Sequence, residues 1–102
     1  MSSTKRTSEA EISQVVIKIL AGEPNGEANF ARLLYLIPKY ITLTPVDLKM
    51  SKKRLGESLW EQRVRNIRSH AKSPNNYISK GYLVGIPGGL RITSLGIKKA
   101  AS

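Results

Sequence analysis

Apolar residues at Ile12, Val15, Val16, Ile19 and Leu20 recur at the spacing of one helix face. They follow Ser8 and Glu11, an S-x-x-E capping pair, and precede Gly22, so the pattern predicts a first helix between these limits. A single apolar stripe has to be buried against a partner. Glu23-Pro24-Asn25-Gly26 is a turn cluster. Glu27-Ala28-Asn29 reads equally as a short strand or as the start of the next helix. Phe30, Leu33, Leu34, Ile37 and Ile41 share one face of a second helix, which Pro38 kinks or ends because it has no amide N–H. Thr44-Pro45-Val46-Asp47 has the order cap, first-turn proline, acid, and predicts a further helix start of a single turn. Residues 49–57 show no period and are expected to form an exposed basic loop.

Ser58 and Glu61 form a second capping pair, opening a helix expected to run to about residue 72, where Ser73-Pro74-Asn75-Asn76 ends it. Residues 82–86 and 90–93 read as two short strands around the tight turn Pro87-Gly88-Gly89, a two-stranded hairpin. Thr93 or Ser94 then caps a short last helix. The stripes predict one core holding Ile12, Val16, Ile19, Leu34, Ile37, Trp60, Val64 and Ile67. Ile17, Tyr35 and Leu36 fall off the stripes and are the exposed candidates for self-association; being few, they favour a monomer.

Three main helices followed by a hairpin is the order of a winged helix-turn-helix, an α+β, mainly α domain with a two-stranded β wing. In it the helix before the hairpin enters the major groove. Residues 58–72 occupy that slot. Advancing about 100° per residue puts Trp60, Val64, Ile67 and Ala71 in one core stripe. Gln62, Arg65 and Ser69 lie roughly opposite, with Lys72, Glu61 and Arg68 on one flank and Asn66 on the other. Arg63 and His70 sit at the second edge of the core stripe. Arg, Gln and Asn match the paired donors and acceptors of base edges, and Ser permits close approach. Gln62, Arg65, Asn66 and Ser69 are therefore the expected base-reading residues. The bland alternative is a solvated helix face, but such faces usually alternate Glu with Lys, and Glu61 is the only acid here.

Charge strengthens the functional reading. The 102 residues carry 17 Lys and Arg against 7 Asp and Glu, a net charge of +10. Residues 1–56 hold 9 basic and 5 acidic side chains, hence +4; residues 57–102 hold 8 and 2, hence +6. Such a field attracts polyanions without choosing among them. Lys49, Lys52, Lys53 and Arg54 in the loop, Arg68, His70 and Lys72 on the helix, and Lys80 and Arg91 on the hairpin are the expected phosphate contacts. Tyr77 and Tyr82 flank the junction between helix and hairpin, where either packs the wing and Tyr77 is the better placed to meet a base.

Other chemistry is poorly supported. There is no cysteine for a disulfide, thiolate metal site or cysteine nucleophile. His70 is the only histidine, too few for an HNH nuclease, and suits a hydrogen-bonding or phosphate-contact role. Asp47 sits in a capping position and Glu61-Gln62-Arg63 is helical, so no PD-(D/E)xK arrangement forms. Gly85–Gly89 lacks the G-K-S/T of a phosphate loop. No enzyme activity, metal or cofactor is expected. Residues 1–7 read as a disordered polar tail rather than a signal peptide, leaving one domain over 8–102. No apolar run is long enough to span a bilayer.

Four stretches, LTPVDL (43–48), LWEQRVRNIRSHAK (59–72), ISKGYLVGI (78–86) and GLRITSLG (89–96), resemble the winged-helix domain of Mrr-like restriction proteins and of proteins carrying HNH nuclease modules. Trp60, Val64, Arg65, Gly81, Tyr82, Ile92, Thr93 and Gly96 carry the resemblance, which spans residues 15–97. It implies a double-stranded DNA partner and the target- or methylation-sensing role of a modification-dependent restriction system in a prokaryotic cytoplasm. N6-methyladenine is the base to consider, with Trp60 or Tyr77 as the aromatic beside its methyl group. No nuclease lies within the chain, so one would come from a fused domain or a separate subunit. The alternatives are a protein-interaction or RNA-binding winged helix and a small standalone transcriptional regulator.

Overall fold

A computed structural model describes residues 6–53 and 56–102. Helix α1 spans Glu9–Ala21. Ser8 accepts the Glu11 N–H at 3.1 Å while Glu11 accepts the Ser8 N–H at 2.8 Å, so the expected capping box is complete. Gly22 ends the helix by donating to the Ile19 carbonyl at 3.0 Å. A single 3-10 turn over Pro24–Gly26 leads into strand β1, Glu27–Asn29. Asn29 then caps helix α2, Phe30–Leu36, by accepting the Arg32 N–H at 2.8 Å. Pro38 acts as expected: α2 gives way to a 3-10 turn, Ile37–Lys39.

The single turn expected from Thr44 forms but does not extend into a helix: Leu48 N–H reaches Thr44 O at 3.2 Å, Thr44 and Asp47 cap each other, and Lys49 N–H turns to Val46 O at 3.2 Å. The basic loop is also less open than expected. Met50 and Ser58 form an antiparallel bridge, and Ser51 donates its N–H to Glu57 O at 2.8 Å. Helix α3, Leu59–Ser69, starts where Glu61 reaches back to the Ser58 N–H at 2.7 Å. It stops three residues before the expected end, because His70 leaves helical geometry at φ −99° and ψ 28°.

Strands β2 (Leu83–Ile86) and β3 (Gly89–Ile92) form the predicted hairpin. Gly88, at φ 72°, takes the left-handed turn position that favours glycine. The two-stranded expectation is corrected, because β1 pairs antiparallel with the other edge of β3 and the sheet order is β1-β3-β2. Gly89 permits that pairing: a β-carbon there would run into the Ala28 carbonyl. Helix α4, Ser94–Ala101, is capped by Thr93, which accepts the Gly96 N–H at 2.9 Å. Because α4 lies along α1, Ile17 is 2 % exposed and not the surface residue expected; Leu36 is also partly buried against the core. Tyr35 is exposed.

Among the described residues the chain is thus an α+β domain of four α-helices and one three-stranded antiparallel sheet. Every predicted core residue lies in the core or, for Leu34, partly buried against it. Among the described residues no helix is long and apolar enough to cross a membrane.

Candidate functional site

Helix α3 turns Trp60, Val64 and Ile67 into the core. That fixes its opposite face. The face is only partly free. Gln62 accepts the Ser51 hydroxyl at 2.6 Å. Arg65 donates through Nε to the Glu57 carboxylate at 2.6 Å, and its guanidinium stands 5.3 Å from the centre of the Phe30 ring. The freely projecting Arg65 expected from the helix wheel is therefore corrected: its side chain is 30 % exposed and already paired. Asn66 is half-buried, and Ser69 is exposed with its hydroxyl 3.4 Å from the Arg65 carbonyl.

The expected phosphate contacts divide in two. Lys49, Lys52, Lys53, Lys72 and Lys80 are all exposed. Three others are tied down. Arg68 reaches across to the hairpin and donates to the Ile86 carbonyl at 2.6 Å, passing over Gly85. Arg91 on β3 pairs with Glu27, its register partner on β1, at 2.6 Å. His70 sits 3.0 Å from Glu9. Arg54 lies outside the described residues, as do residues 1–5 of the expected tail. An open hollow of about 620 Å³ at the end of α3 is lined by Arg68, Ser69, His70, Lys72 and Ser73, among others.

The two aromatics considered for a modified base are both buried, Trp60 in keeping with its core stripe and Tyr77 contrary to the expected base contact. Trp60 is 6 % exposed and Tyr77 5 %, the latter packed edge-on against Tyr82 with centroids 5.0 Å apart. Tyr77 also accepts the Tyr82 and Leu83 N–H groups through its backbone carbonyl, so it anchors the hairpin from inside.

Two buried polar centres hold α3 in place, and helical periodicity does not reveal either. Asp47 is fully buried. It accepts the Thr7 N–H at 2.7 Å, the Thr7 hydroxyl at 2.6 Å and the Thr44 N–H at 3.0 Å, with Arg63 at 3.4 Å. Burial by itself would raise the Asp47 carboxyl; the bonds from Thr44 and Thr7 outweigh it and hold it below its ordinary range. The Arg63 guanidinium is lowered, chiefly by burial and then by Arg6, against the opposing pull of Asp47. Asn76 is the second centre, donating to the Ile67 carbonyl at 2.8 Å and accepting the Ile78 N–H at 2.7 Å. Thr7, expected in a loose tail, is thus fastened to the domain.

A division of charge results. All seven acidic side chains are engaged within the chain: Glu11 and Glu61 at helix caps, and Glu9, Glu23, Glu27, Asp47 and Glu57 with basic partners. The arginines Arg32, Arg63, Arg65 and Arg91 take four of these carboxylates. Among the described residues every lysine is exposed and none stands within ion-pair distance of a carboxylate. No group of three or more metal-ligating side chains occurs among those residues. The surface so built offers point charges to a polyanion, with few free forked or amide groups for base edges. No protein-family model matches the chain, and no curated protein or solved structure matches it either.

Proposed function

We propose that the chain is a winged-helix module that binds double-stranded DNA, holding it chiefly by its phosphates. The exposed, unpaired lysines carry this reading: Lys49, Lys52 and Lys53 ahead of α3, Lys72 behind it and Lys80 before the hairpin. An ammonium is a compact charge suited to a phosphate and indifferent to the base beside it. The architecture supports the reading. A helix that buries Trp60, Val64 and Ile67 leaves its other side outward, and Arg68 holds the hairpin beside it through the Ile86 carbonyl. Asn66 and Ser69 remain as the least encumbered groups for a base edge.

The resemblance to Mrr-like and HNH-associated domains gives the module its setting: the target-sensing part of a restriction system, whose nuclease lies elsewhere. With Trp60 and Tyr77 buried, neither is available to grip an N6-methyl group.

Equilibrium binding to one duplex, unmethylated and adenine-methylated, over a range of salt tests this. Five lysine contacts predict a slope of log K against log salt of about −4.5. Replacing Lys52 and Lys53 together by alanine should lower the slope by about two units and weaken all duplexes alike. The affinity ratio between methylated and unmethylated duplexes is expected near one. A shallow slope would favour the protein-interaction alternative; a large methylation ratio would restore modified-base reading.

A further inference from the structure

Arg65 has the side chain best suited to read a guanine, and the chain itself already holds it at one corner. The Glu57 carboxylate takes the Arg65 Nε–H at 2.6 Å, with Glu57 itself only 17 % exposed. Gln62, the other strong reader on this face, meets Ser51 at 2.6 Å. Ser51 and Glu57 are joined by the backbone bond that closes the segment between them, so one short stretch ahead of α3 holds both partners. With both partners charged, this bond holds the guanidinium more firmly than a neutral acceptor would. Guanine offers neutral acceptors, O6 and N7, and so competes poorly with a carboxylate for the guanidinium.

We propose that Glu57 is a specificity-determining residue: by occupying Arg65 it keeps the helix from reading guanine and leaves DNA binding broad in sequence. The inference rests on the DNA-binding reading above and deepens it. Glu57→Gln removes the competing charge while keeping the shape of the side chain. Arg65, still stacked near Phe30 on the face away from the core, then becomes available to the groove. Ser51 plays the same part for Gln62 in lesser degree, because a neutral hydrogen bond is more readily exchanged.

The test is a double-substitution cycle. Wild type, E57Q, R65A and E57Q/R65A are titrated with duplexes that differ at single G·C pairs, with thermal unfolding run beside each to confirm the folded state. E57Q should bind more tightly than wild type and prefer one guanine position by roughly 5- to 150-fold, the range of a good bidentate pair. R65A in the wild-type background should change base preference by less than two-fold. The gain of E57Q should vanish in E57Q/R65A; a gain due only to the lost negative charge would persist there, and would overturn the proposal. A wild type that already prefers guanine and loses that preference in R65A would overturn it too, and this arm stands even if E57Q fails to fold. Wild-type binding with E57Q unchanged would end this inference alone. A wild type that binds no duplex at low salt would instead end the DNA-binding reading from which it starts.

Discussion

Asp47 is a charged residue with no exposed surface, and three pieces of chain meet on it: Thr7 before α1, the turn at Thr44, and Arg63 on α3. Removing one partner from such a buried cluster leaves the other charge and the donors without compensation, which typically costs about 3–5 kcal/mol. Asp47→Asn keeps one acceptor and should lose about 3 kcal/mol at neutral pH, read from the urea midpoint. The carboxyl lies below its ordinary value of 3.8 when folded. Its stabilisation is therefore complete above that value and is lost as pH falls through the lower folded one. The gap between wild type and D47N should close on acidification below pH of about 4; a gap that stays constant would mean that packing, not ionisation, is responsible. From sequence, Asp47 was legible only as the cap of a local turn, and the Thr44 half of that reading stands. Thr7 and Arg63 lie 40 and 16 positions away, where no local pattern connects them to Asp47.

At the scale of elements, legibility followed periodicity. The stripe of α1 and the phase of α3 were readable because helical spacing repeats the same buried side three or four times. Strand β1 has three residues and one buried side chain, Ala28, too few for a period, so strand and helix start were equally good readings. The early end of α3 has a cause placed beyond the helix itself. Asn76 takes the Ile67 carbonyl, and its own carbonyl oxygen caps the turn at Ile78. Tyr77, beside it, lies in no helix or strand whose period could have marked it as buried. Replacing Asn76 by alanine leaves a buried carbonyl and N–H unpaired, for a cost of about 1–3 kcal/mol. Amide exchange should then quicken first in the last turn of α3. Uniform quickening over the whole chain would show that Asn76 does not act as a local clamp.

For the whole molecule, the net charge of +10 was plain in the composition, but its distribution was not. The pairs Arg65–Glu57, Arg32–Glu23, His70–Glu9 and Arg91–Glu27 join residues 8, 9, 61 and 64 positions apart, and only the fold decides which basic side chains find an acidic partner. Hence the expected phosphate contacts at Lys49, Lys52, Lys53, Lys72 and Lys80 stay free of ion pairs, whereas Arg65, Arg68 and Arg91 are engaged within the chain. The central strand β3 also has a history built into it. One neighbour, β2, joins it through a tight turn; the other, β1, must arrive from the far end of the chain, Glu27 meeting Arg91 across 64 positions. Closing that larger loop costs roughly 2 kcal/mol more in chain entropy than closing a turn of a few residues. Refolding should therefore be ordered in time: the hairpin first, and β1 added once α1 and α3 have condensed. Pulsed hydrogen labelling during refolding should find the β2–β3 amides protected before those of β1, and simultaneous protection would place all three strands in one nucleus.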